Sequence, residues 1–131
     1  MIGLDTNVLV RYVTHDHPGQ TATAIEVMKS LTPETPGFVS MVVVAELVWV
    51  LETCYGFSKA EVIETMEGLL RSKELIVERA DIALRALSNF KTTRTDFSDC
   101  LIERCGHAVG CRHTVTFDRR AGSLEGMKLL Q

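Results

Sequence analysis

Residues 1–12 read MIGLDTNVLVRY, and the order of residue types in them decides the fold class. Ile2 to Leu4 are apolar and suit a short strand. Asp5, Thr6 and Asn7 follow at once, and then an apolar stretch of Val8, Leu9, Val10, Tyr12 and Val13, broken only by Arg11. A polar triplet at a strand-to-helix junction has two readings. It can cap the helix. It can also set a carboxylate at the C-terminal edge of a sheet, where open α/β folds keep their active sites.

Working outward, short apolar runs keep alternating with capped helical segments. The first helix should run from Thr6 to about His15 and end before His17–Pro18. Pro18 suits the first turn of a second helix that reaches Leu31. TPETPG (32–37) is a turn, Phe38 and Val39 a brief strand, and Ser40 an N-cap for a helix starting near Met41. Gly56 should stop that helix. Ser58 with Glu61 three residues on forms a capping box for the next, which should reach about Ser72. ELIVE (74–78) reads as a strand, and Ala80–Phe90 as a helix with Ile82, Leu84, Ala86 and Leu87 as its apolar positions. A last helix should start near Asp96 and end around Gly110, followed by strands at HTVTF (113–117) and MKLL (127–130). This alternation predicts an α/β fold, a mostly parallel sheet covered by helices on both faces.

With 131 residues, 46% of them hydrophobic, the chain can bury a real core, and no linker, repeat or low-complexity tract divides it. One domain over 1–131 is the expectation. A net charge of −3 gives no global basic signature, so a nucleic-acid partner would have to be held by local Arg clusters or through metal ions. Asp5, Asn7 and Arg11 interrupt the N-terminus too early for a signal peptide. The longest apolar run, MVVVAELVWVL (41–51), is too short to cross a bilayer. The expectation is a cytoplasmic chain with no membrane partner, whose four cysteines stay reduced. Cys100, Cys105, Cys111 and His113 lack the paired close spacing of a zinc finger, so the thiols are read as buried free cysteines packing as small hydrophobes.

Four carboxylates stand out. Glu46 is the one residue in 41–51 that is not apolar. A helix apolar all round is buried, and a carboxylate there needs a partner: an Arg, a place at the rim, or a metal ion. Asp96 and Asp99 lie three apart on one helical face, where an N-cap and a first-turn acid would also be at home. Asp118 follows a strand, again at the expected C-terminal sheet edge, and it too can be a cap. Each is weak alone. Together with Asp5 they make a set of acids at two strand ends and on two helices, and oxygen ligands of this kind suit Mg²⁺ or Mn²⁺. Such clusters support metal-assisted hydrolysis of phosphodiesters.

In these stretches the chain resembles the PIN-domain nucleases, and most closely the VapC-type toxins of toxin–antitoxin modules. The resemblance runs through LDTNVLVRY, VAELVWVL, DFSDCLI and VTFDRRA in order, over nearly the whole sequence. Carried over residue by residue, the family's acidic quartet falls on Asp5, Glu46, Asp99 and Asp118. Thr6, Asn7 and Thr116 match supporting positions, and Asp96 neighbours the quartet as either a cap or a contributor. The resemblance implies a three-layer α/β/α sandwich, a Mg²⁺ or Mn²⁺ requirement, RNA as substrate, homodimerisation and a cognate protein antitoxin.

The expected activity is therefore that of an endoribonuclease in which the quartet holds divalent metal and a metal-activated water attacks phosphorus. Arg11, Arg94, Arg112, Arg119 and Arg120 are the expected RNA contacts. His15, His17, His107 and His113 show no catalytic motif. Among rival readings, a phosphorelay receiver would need a second acid beside Asp5 and a late pocket lysine, whereas Lys128 falls inside the last expected strand. A structure-specific DNA nuclease would bring inserted DNA-gripping elements, and a non-catalytic RNA-binding or interaction module would have lost acids. The helices over 41–51 and 58–70 carry more apolar surface than a small sandwich can hide, an expectation that also favours a homodimer.

Overall fold

The opening strand is two residues long: β1 (Ile2–Gly3) gives way to α1 (Thr6–Thr14) through Leu4 and Asp5. A computed structural model describes residues 1–131, which form two units, Met1–Ala80 and Asp81–Gln131.

In the first unit, α1 is followed by α2 (Pro18–Ser30), β2 (Gly37–Val39), α3 (Met41–Tyr55), α4 (Lys59–Arg71) and β3 (Leu75–Val77). The strands pair β1–β2–β3, all parallel, with Ile2 opposite Gly37 and Phe38 opposite Ile76. Each parallel step needs a crossover, and the helix pairs α1–α2 and α3–α4 supply them. The caps behave as the side chains dictate. Ser40 Oγ accepts from Val43 N–H, and Ser58 and Glu61 close a reciprocal capping box. Gly56 ends α3 in the left-handed region, at φ 65°. Leu9, Val39, Leu47, Leu51 and Val62 are fully buried.

In the second unit, α5 (Ala80–Thr92) precedes α6 (Phe97–Ala108), β4 (Thr114–Thr116), a 3₁₀ turn (Ala121–Ser123) and β5 (Met127–Leu129). β4 and β5 pair in parallel, Val115 opposite Lys128. Phe90 and Phe97 meet edge to face with centroids 5.8 Å apart, an arrangement that aromatic quadrupoles favour. Glu103 is almost completely buried, and its two carboxylate oxygens accept from Nε and Nη2 of Arg104, each at 2.6 Å. It lies against Gly126, where any Cβ would collide with it.

The expected elements are all present, with ends that agree to within two residues. The largest physical difference is at β4, which stops at Thr116 and leaves Phe117 outside the strand. The α/β class and the parallel pairing hold in both units.

Candidate active site

Two of the expected site acids belong to the first unit. Asp5 is exposed at the N-cap of α1 with extended backbone, and its Oδ1 accepts from Thr6 N–H at 2.8 Å. Thr6 is buried, and its hydroxyl donates to Glu46 Oε1. The first residue of α1 thus holds a carboxylate from the middle of α3. Glu46 itself is exposed, which corrects the expectation of a helix buried all round. The helix buries Val44, Leu47, Val48 and Leu51 and leaves a second stripe open, with Val42 75% and Trp49 57% exposed on either side of Glu46. Glu46 is therefore held by Thr6 at a rim, not by a desolvated core. Asn7 is exposed and its side chain makes no hydrogen bond; it lines a groove of α1 and α2 with Arg11, Gln20 and Thr23.

The other acids belong to the second unit. Asp96 has N-cap backbone geometry (φ −63°, ψ 149°), yet its carboxylate caps nothing. Asp99 is half-buried in the first turn of α6 and accepts no hydrogen bond. Its burial, then the charges of Asp118 and Asp96, hold its carboxyl above the ordinary 3.8. A capping carboxylate shows the opposite, because N–H donors favour the charged form. Asp118 follows β4, and its Oδ1 accepts from Arg120 N–H at 2.7 Å and Ala121 N–H at 3.1 Å. Its own N–H donates to Thr116 Oγ1 at 3.0 Å. Of the supporting residues expected, Thr6 and Thr116 thus touch quartet members directly and Asn7 does not.

Asp5, Glu46 and Asp118 share a feature useful to a ligand: one carboxylate oxygen is tied by a protein donor, so the group is oriented while the other oxygen has no partner. The donors are all hard oxygens, which is the chemistry Mg²⁺ and Mn²⁺ select. No group of three or more His, Cys, Asp or Glu side chains is gathered so as to hold a metal ion. The fit is one of donor chemistry.

Several other expectations change in detail. Arg11 is engaged by its own unit: Nε donates to Gln20 Oε1 at 2.8 Å, and Nη1 to Tyr55 OH at 2.9 Å and Asp16 Oδ1 at 3.2 Å. It is a strut of the α1–α2 corner more than a free phosphate contact. Arg94, Arg112, Arg119 and Arg120 are exposed or partly so. Only Cys100 is the buried small hydrophobe expected of all four thiols; Cys54 and Cys111 are exposed, because both lie where their helices end or have ended. The feature hardest to foresee is Phe117, 77% exposed between Thr116 and Asp118. The one signal in the sequence is its place past the last polar strand residue, since an apolar residue there extends the strand equally well on paper.

Comparison with known proteins adds to this geometry. A curated relative, the VapC ribonuclease of Aquifex aeolicus (strain VF5), is 26% identical over 118 residues, covering 89% of this chain and 87% of its own length. The family model described as PIN domain matches residues 2–126, a span that contains all four acids of the quartet, and the chain belongs to the PIN domain family.

Proposed function

We propose that the chain is a divalent-metal-dependent endoribonuclease, the toxin of a toxin–antitoxin module, with Asp5, Glu46, Asp99 and Asp118 as its metal ligands. The observation that carries the reading is Asp99. A half-buried carboxylate with no donor, whose charge is further disfavoured by Asp118 and Asp96, is poorly explained as a helix cap. It is well explained as a ligand whose charge a cation balances. Family membership and the likeness to a VapC ribonuclease support the same assignment.

When bound, Mg²⁺ or Mn²⁺ supplies a polarised phosphate and a water acidic enough to give hydroxide near neutral pH. The chain's own residues prepare that chemistry. Thr6 fixes the Glu46 carboxylate through Oε1, its own N–H fixes Asp5, and the Arg120 and Ala121 N–H groups fix Asp118. Ligands held this way lose little freedom when they bind, which is what a precise site requires. Asp96 adds negative charge beside Asp99 without joining a cap. No Ser, Cys or His nucleophile is invoked.

One domain over 1–131 acts on RNA in the cytoplasm, is silenced by a protein antitoxin, and pairs with a second copy through the open apolar stripe of α3. No helix is long and apolar enough to cross a membrane. Incubating purified protein with single-stranded RNA in Mg²⁺, Mn²⁺ or EDTA tests it. Cleavage is expected with either metal and none with EDTA. Asp5→Asn, Glu46→Gln, Asp99→Asn and Asp118→Asn should each abolish it. Cleavage of DNA alone would move the assignment to a DNA nuclease. RNA binding without cleavage in either metal would make the chain a non-catalytic module.

A further inference from the structure

Phe117 is the most exposed aromatic side chain of the molecule, at 77%, and it is one peptide bond from Asp118. A large apolar ring left in water contributes little to folding and stays available to a ligand. The segment that carries it is braced by hydrogen bonds on both sides of the ring. Thr116 accepts from Asp118 N–H through its hydroxyl and from Leu130 N–H through its carbonyl, at 3.0 and 2.7 Å. Asp118 in turn takes the Arg120 and Ala121 N–H groups on its side chain and the Gly122 N–H on its carbonyl, the last at 2.8 Å. The ring is therefore presented from a braced segment. It lines an open groove of about 570 Å³ with Arg119, Leu129, Leu130 and Gln131, so a cation and a flat apolar face belong to one groove.

That combination matches one ligand chemistry well. A base of a single-stranded nucleic acid has a π-face for the ring, and its phosphates meet a guanidinium. Phe117 and Asp118, a proposed metal ligand, have Cα atoms only about 3.8 Å apart, so a base on the ring would belong to the same strand that this acid meets. We propose that Phe117 is a stacking residue for an unpaired base flanking the scissile phosphate, with Arg119 contacting the strand beside it. The inference rests on the ribonuclease reading and adds to it a binding residue, one that needs an unpaired base because a base must leave its helix to reach the ring. Sequence tolerance at this position follows, because every base offers a face.

The test compares Phe117→Ala, Phe117→Trp and wild type in two readouts. In cleavage of single-stranded RNA with Mn²⁺, Phe117→Ala should raise KM about 5- to 100-fold with little change in kcat, and Phe117→Trp should restore it. In the Asp99→Asn background, a single-stranded RNA oligonucleotide with 2-aminopurine next to the cleavage position should lose fluorescence on binding. The loss should vanish with Phe117→Ala and persist with Phe117→Trp. Wild-type cleavage with unchanged KM and unchanged quenching in Phe117→Ala would overturn the stacking role while leaving the nuclease reading intact. An effect of Phe117→Ala on association with a protein partner alone would overturn it in the same way. Failure of the wild type to cleave or bind RNA would overturn both.

Discussion

The proton affinities of Asp99 and Asp16 shift in opposite directions, for reasons visible in their surroundings. Asp99 is pushed up by burial, then by Asp118 and Asp96. A raised folded-state value means stability fully present below the unfolded 3.8 and lost as pH rises through the folded value. At neutral pH the metal-free protein thus carries an unrelieved repulsion, and Asp99→Asn should melt higher than wild type in EDTA. The gap should close toward pH 3, where both are neutral. A helix-start acid favoured by the macrodipole would show the reverse, a loss of about 0.3–1 kcal/mol on neutralisation. Asp16 is pulled down, first by the Tyr55 hydroxyl at 2.6 Å, against a smaller desolvation effect, and further by Thr14 and Arg11. Its contribution is present above the ordinary 3.8 and fades as pH falls through the lower folded value. Tyr55→Phe should therefore lower the melting temperature at pH 7 and much less in strong acid. Thermal melts across pH check both signs.

The helices were legible because their ends are written locally. Ser40, Gly56 and the Ser58–Glu61 box each act within a few residues, and each acts as its chemistry dictates. Ser58→Ala should cost about 1 kcal/mol, a fall of roughly 3–5 °C in Tm. Gly68 sits inside α4 with open space where a Cβ would go. Gly68→Ala should stabilise by about 0.5–1 kcal/mol, read by urea denaturation, since only backbone entropy changes. Burial was less legible than boundaries. The run 41–51 is apolar on every side, so no periodicity distinguishes the buried Leu47 from the exposed Trp49; the tertiary neighbours decide. The apolar surface expected of both α3 and α4 belongs to α3, because α4 turns Val62, Met66 and Leu69 inward and presents Glu61 and Glu64 outward. Glu103 is the converse. Nothing local distinguishes it from a surface glutamate, and it is buried because Gly126, far along the chain, leaves room for it.

For the whole molecule, the acids stand out in the sequence because strand ends and helix starts are where such folds place chemistry, and their grouping as proposed metal ligands comes from the resemblance. The individual partners were not: that Thr6 holds Glu46 depends on a contact spanning 40 residues. Assembly can be read through the chain's single tryptophan, Trp49, which lies on the open stripe of α3. A homodimer should sediment as such at micromolar concentration and shift Trp49 emission to the blue, and Trp49→Glu should give monomers with an unchanged fold. A concentration-independent monomer mass for wild type would exclude pairing through this face. The central claim is that Asp5, Glu46, Asp99 and Asp118 are metal ligands, and Mn²⁺ binding, measured by the loss of its free-ion electron paramagnetic resonance signal, reaches it without any substrate. Wild type should bind Mn²⁺, Asp5→Asn and Asp99→Asn should each weaken it by more than about tenfold, and Ser58→Ala should leave it unchanged. Wild-type protein that binds no Mn²⁺, or Asp5→Asn and Asp99→Asn proteins that bind it as wild type does, would contradict the assignment.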